Sequence, residues 1–364
     1  MKKLTILTLL FVVLTLMGGC EKAQQGLKIG AILPLSGYTS VLGIPKQNAM
    51  NIAAAEINFE AGSNVLSIAY EDSKGNAKDG VSAFQKQLST TSIQYYYIDL
   101  TTIVNACAPI VDQKQVLTFA GSAQPAVTEL SPMLFRLFAG GEQEVQMMVD
   151  YLLASSISNI YVLHTNEIYG TSAFEYLKRI YSEAGGEILG KDDYPLSAKD
   201  VKNILLKAKS SGAEKIVVLG YGIVFPTMLK QMKELEIPTS QVFMNLGATN
   251  AQVVALGPDY TDGLSFVGPR FTYLYENDLM TPAVKKFIDA YKSEYGSVPD
   301  FRAAYAYDFV RILYDAWSKV GANDLNKVAA EIIKIKDFDG ISGKITFREN
   351  GDSETDLIYA KYEN

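Results

Sequence analysis

From Leu27 the chain alternates between short, almost continuously apolar runs and longer stretches with helical spacing. LKIGAILPL, VLSIAYED (65–72), IQYYYID (93–99) and QVLTFAG (115–121) read as strands, separated by helices over 46–58, 76–90 and 102–113. Runs this apolar fit strands buried on both faces, and strict alternation with helices implies βαβ units around a parallel sheet. The rhythm then restarts. Residues 142–155 place Val145, Met148, Val149, Leu152 and Leu153 on one helical face. SNIYVLHT (158–165) is a strand, 170–185 a helix closed by Gly185-Gly186, and EILGKDDYPL an extended segment. Residues 198–210 and 224–236 read as helices, with EKIVVLGYG (214–222) and QVFMNLG (241–247) as strands. GLSFVGPRF (263–271) is a strand running into a link, and 281–295, 301–320 and 325–335 are helices. GKITF (343–347) and DLIYAKY (356–362) are strands about the turn Glu349–Asp352.

The expected fold class is therefore α/β, with two doubly wound parallel-sheet lobes joined by several crossing segments. The first lobe is short of helices on its own, so 27–139 is expected to recruit 272–338, leaving 140–271 with 339–364 for the second. The crossings fall near 137–142, 267–274 and 337–343. A chain this long exceeds the usual single core, which agrees with two lobes.

The first 26 residues have a different character. Lys2 and Lys3 precede an apolar run, Leu4 to Met17, broken only by threonines; Gly18 and Gly19 then lead to Cys20. That is the layout of a secretory leader, and the run is shorter than the roughly 20 residues a membrane span needs. The ending Leu16-Met17-Gly18-Gly19-Cys20 resembles the lipobox of bacterial lipoproteins, with Met17 where that family most often has leucine. The resemblance implies a signal peptide over 1–19, lipidation of Cys20, and a polar tether over 20–26. It implies a protein held on the extracytoplasmic side of a membrane, periplasmic or outer.

Charge and rare residues narrow the chemistry. The chain carries net charge −7, and two of its lysines lie in the leader. Such acidity gives no electrostatic reason to bind nucleic acid. Cys107 is the only other cysteine, so no intrachain disulfide is expected after lipidation; its neighbours mark it as a packed helix position. With His164 the only histidine, a metal site of the usual nitrogen and sulfur type is not expected. G-x-S-x-G, Walker and strand-linked G-x-G-x-x-G sequences are absent. No cofactor and no catalysis are expected.

The polar residues that look placed stand at strand C-termini, the ends where open α/β sheets bind ligands. They are Ser36, Thr101 and Thr102, Ser122 and Gln124 in the first half, and Tyr169, Tyr221 and Asn245 in the second, with Leu42 beside them. Serines and threonines there can equally cap the next helix.

Residues 27–58 resemble the opening of the branched-chain amino-acid binding proteins, type I periplasmic binding proteins that serve ABC importers: a strand, P-x-S-G, and an alanine-rich helix ending in E-I-N. IYVLHTNEIYGTSAFEYLK is similar to the start of that family's second lobe, and AYAYDFVRIL and GISGKITFRENGD to its closing helix and last hairpin. The resemblance implies a monomer that grips a small solute between its lobes and presents it to a membrane permease. By position, Thr101 and Thr102 would hold a ligand carboxylate, Ser122 and Gln124 would form the next ligand loop, and Tyr169 and Tyr221 would be cleft aromatics. Two features depart from the family. Asn245 to Ala248 contain no acid to pair a ligand ammonium, and the loop after YYYIDL lacks the family's glycine and serine run. The solute is therefore expected to be an amino acid or a related carboxylate or amide. A regulator of the same fold, acting by protein contact without transport, is the alternative.

Overall fold

The computed structural model describes residues 26–124, 126–271, 280–320 and 324–363. The expected leader, Cys20 and nearly all of the tether lie outside them. The first half runs β1 (Leu27–Leu33), α1 (Ser40–Glu60), β2 (Leu66–Asp72), α2 (Ala77–Thr90), β3 (Tyr95–Asp99), α3 (Thr101–Lys114), β4 (Leu117–Gly121) and β5 (Leu134–Arg136). The second runs α4 (Gly141–Ala154), β6 (Asn159–Thr165), α5 (Ile168–Glu183), β7 (Glu187–Tyr194), α6 (Lys202–Ser210), β8 (Lys215–Leu219), α7 (Phe225–Glu234), β9 (Val242–Met244) and β10 (Ser265–Pro269). Then follow α8 (Pro282–Tyr295), α9 (Phe301–Val320), α10 (Leu325–Ile333), β11 (Phe338–Gly340), β12 (Gly343–Phe347), β13 (Ser353–Thr355) and β14 (Leu357–Lys361).

The first sheet has the order β2-β1-β3-β4-β5, all parallel; the second has β14-β10-β9-β8-β6-β7, parallel except for β14 at its edge. Strands β3 and β4 are buried along their whole length, as apolar runs of this kind require. Helices α8 and α9 lie on the first lobe, where α9 packs along α1; Asn48 reaches the Tyr291 hydroxyl at 3.3 Å and Arg311 pairs with Glu60 at 3.1 Å.

The end of the chain differs from the sequence reading. GKITF does not pair with DLIYAKY. It pairs with β11 and β13 in a separate three-stranded antiparallel sheet. That sheet lies against the first lobe: Phe347 packs on Phe119 and Phe135, and Asp308 of α9 accepts the Ile341 and Ser342 N–H groups at 3.0 and 2.8 Å. Residues 338–355 thus sit with the first lobe, and the third crossing comes at Asp356, later than the 337–343 expected. Only β14 joins the second sheet, as an antiparallel partner of β10. Apolar alternation alone could not separate the two strands, because both have buried partners.

Helix α1 approaches β1 so closely that Gly43 has no room for a side chain. A Cβ there would stand 2.2 Å from the Pro34 carbonyl oxygen. Alanine usually stabilises a helix interior by about 1 kcal/mol over glycine, but here the backbone contact reverses the sign. Gly43→Ala is expected to cost about 1–3 kcal/mol, seen as a lower urea midpoint with unchanged slope. A midpoint at or above wild type would contradict this packing.

Candidate functional site between the lobes

Helix α3 starts one residue after β3 ends, so its free N–H groups and its first hydroxyls lie at the C-terminal edge of the first sheet. Leu100, in the link, takes φ 70°, a backbone region that favours glycine. Thr101 is buried with Oγ1 2.8 Å from the Ser122 hydroxyl, which accepts the Gln124 N–H at 3.1 Å. The Gln124 side chain accepts from Asn105.

Bonds also run between the lobes. Thr102 Oγ1 donates to Glu167 Oε2 at 3.0 Å, and the Tyr221 hydroxyl lies beside Thr101. The Tyr169 and Tyr221 rings stand 5.2 Å apart. The Tyr169 hydroxyl donates to Glu144 Oε2 at 2.7 Å and accepts from Asn245 Nδ2 at 2.6 Å. Asn245 is fully buried and forms a wall behind Tyr169. Ser36 is the outlier: it is exposed, beside the Asp72 carboxylate, and does not line the cavity at this junction.

A small cavity of about 20 Å³ lies at the junction, lined by groups of both lobes. That is room for about one water molecule. Leu42, Tyr169 and Tyr221 of the expected residues line it; Thr101, Thr102, Ser122, Gln124 and Asn245 do not, each standing within two positions of a residue that does.

The three charged lining residues escaped the sequence reading: Lys46, Asp99 and Arg302. Lys46, mid-helix in α1, forms a buried ion pair with Asp99 at the end of β3, with the Phe138 ring 5.4 Å from its ammonium. Burial pushes the Lys46 ammonium below its usual value, while Asp99 pulls it back up. Arg302, at the start of α9, bonds the Asn250 side chain and the Tyr221 carbonyl (2.9 Å) of the second lobe, and pairs with Asp300 at 3.0 Å. Asp99 ends a strand like the residues that were chosen, so its position offered a signal. Lys46 offered none, because an isolated lysine in an alanine-rich helix ordinarily faces water.

An acid does stand near Asn245, though the sequence there has none. Glu144 of α4 is fully buried and accepts the Leu246 N–H at 2.6 Å. Burial raises its carboxyl to about 7, against the lowering effect of its hydrogen bonds. Cys107 is buried in α3, and burial lifts its thiol to about 12, as for a packing residue. Among the described residues no helix is long and apolar enough to cross a membrane.

Two parallel-sheet lobes with facing strand ends define a type I periplasmic binding fold. The periplasmic binding protein family model matches residues 26–363, and the chain belongs to that family, one of binding proteins and not of enzymes. It is 24% identical over 332 residues to the Leu/Ile/Val-binding protein homolog 7 of Brucella suis biovar 1 (strain 1330), covering 86% of this chain and 82% of that protein. The branched-chain amino acid substrate-binding protein of Streptococcus pneumoniae, solved with isoleucine, superposes with a TM-score of 0.81 at 20% identity, covering 93% of this chain and 96% of that one. A solute-binding protein of an ABC transporter from Rhodopseudomonas palustris BisB5, solved with 3,4-dihydroxybenzoic acid, gives 0.81 at 20% identity, over 93% and 94% of the two chains.

Proposed function

We propose that this protein captures a small carboxylate-bearing solute between its lobes and delivers it to an ABC importer. The observation that carries the reading is the convergence of Thr101, Ser122, Tyr169 and Tyr221, from two separate sheets, on one interlobe junction. Hydroxyls beside the free N–H groups of α3 suit a carboxylate, since bonds to a charged acceptor are the strong kind. The relatives solved with isoleucine and dihydroxybenzoate bracket the solute class as amino acids and aromatic acids. The lobes comprise 27–139, 280–320 and 324–355 on one side and 140–271 with 357–361 on the other. A lipid on Cys20 holds the protein at the membrane, outside the cytoplasm.

Solute entry requires the lobes to part, because the closed cavity is too small for any of these acids. Opening breaks the Thr102–Glu167 and Arg302–Asn250 bonds and swings the lobes about their crossing segments. A matching solute at about 100 times its dissociation constant is expected to stabilise the protein by about 2.7 kcal/mol, read as an upward thermal shift across a panel of branched-chain amino acids and hydroxybenzoates. The near-filled cavity also favours a second reading, a regulator that closes without solute and acts by contact. No shift with any solute, together with a co-purifying membrane protein, selects that reading.

A further inference from the structure

We infer that the Lys46–Asp99 pair recognises the ligand's second polar group, and that it selects a neutral group that both donates and accepts, a hydroxyl or carboxamide, over an ammonium. This rests on the solute-binding reading and names the class of solute.

Both residues line the interlobe cavity and are buried, Lys46 at 2% and Asp99 at 0% exposure. Asp99 Oδ1 is taken by Lys46. Asp99 Oδ2 is buried with no hydrogen-bond partner among the described residues, although a carboxylate oxygen accepts readily. The Lys46 ammonium carries three donors, and among the described residues its one hydrogen bond goes to Asp99. The pair therefore presents an acceptor and donors side by side to whatever enters.

The charges decide what fits. An ammonium satisfies Asp99 Oδ2 but meets the Lys46 charge at close range, while Arg302 and its partner Asp300 act on the same spot in opposite senses. A second carboxylate satisfies Lys46 but meets Asp99. A hydroxyl or carboxamide donates to Oδ2 and accepts from Nζ at once, so that both partners are met without a like charge. The aliphatic and phenyl side chains in the lining, Leu42, Leu100, Phe138 and Leu246, suit an aromatic or branched apolar body. The carboxylate of the same ligand takes the start of α3. The structure thus assigns the site to hydroxy acids or amide-bearing acids in preference to zwitterionic amino acids.

Calorimetric titration of the protein with two matched sets tests this. One set is 4-hydroxybenzoate, benzoate and 4-(aminomethyl)benzoate; the other is 2-hydroxy-4-methylpentanoate and leucine. The hydroxyl member of at least one set is expected to bind at least about 100-fold more tightly than its ammonium counterpart. In the double variant Lys46→Met/Asp99→Leu, an apolar pair that keeps the packing, the hydroxyl member's advantage is expected to vanish. Lys46→Met alone leaves Asp99 unpaired and is expected to swing preference toward the ammonium member. Tighter binding of the ammonium member by wild type, or an undiminished hydroxyl preference in the double variant, overturns the inference while solute capture stands. If no solute of any class binds, the inference falls together with the solute-binding reading.

Discussion

Arg136→Met is expected to lower the unfolding free energy by about 3–5 kcal/mol. The guanidinium is buried, and its Nε and Nη2 donate to the two oxygens of Asp352 at 2.6 Å each. Its Nη1 donates to the Gln124 carbonyl at 2.8 Å, and its backbone N–H to Gly351 at 2.9 Å. One side chain therefore ties the last strand of the first sheet to the three-stranded sheet and to the loop carrying Ser122 and Gln124. Methionine keeps the apolar stem but leaves Asp352 buried without its main partner, and an unpaired buried charge is what makes such a change costly. A fall in melting temperature of roughly 10 °C is expected at this chain size. Adding Asp352→Leu removes the stranded charge and should restore part of the loss. A single variant that melts with wild type would show that this ion pair contributes nothing net.

The second large effect is a decline in stability as pH rises from about 4.5 to about 7. Glu144 has an ordinary carboxyl value of 4.5 in the unfolded chain and about 7 when folded. Between these values the folded protein keeps a proton that the unfolded chain has lost, so stability falls with rising pH. Below 4.5 both states are protonated and the cost is absent; above 7 it is complete, at about 3 kcal/mol. Asp308, raised from 3.8 to about 6 by burial, adds a decline of the same sign at lower pH. In Glu144→Gln the amide can still accept the Leu246 N–H and meet the Tyr169 hydroxyl. Its stability, measured by urea unfolding and referred to its own value at pH 4.5, is expected to exceed that of wild type by about 3 kcal/mol at pH 8. Parallel curves for the two proteins would place the titration elsewhere.

The local pattern was enough for the elements and for the rule that assembles them. Apolar runs such as IQYYYID cannot lie at a surface, and their alternation with helices leaves few arrangements besides parallel sheets covered on both faces. The same logic placed α9 on the first lobe, because that sheet had too few helices to cover it. It also marked Thr101, Ser122, Tyr169 and Tyr221 as candidates, since each follows a strand and such ends face ligands; their binding a ligand remains the proposal. It failed for Ser36, which follows a strand but is exposed and does not line the cavity, and for the partner of GKITF, because strand propensity does not encode which edge a strand joins.

What folding alone decided is the chemistry at the centre. Lys46 and Asp99 are 53 residues apart, and Arg302 meets Asn250 across 52. Nothing in the spacing of either pair announces contact. A charge in a helix reads as solvated until another lobe closes over it, and only that closure removes the water that would otherwise satisfy it. The order of apolar runs and helices leads to two α/β lobes with hydroxyls at their strand ends. The buried ion pair at the lobe junction, with one oxygen unpartnered among the described residues, arises only on folding, because burial and partner choice depend on groups far apart along the chain.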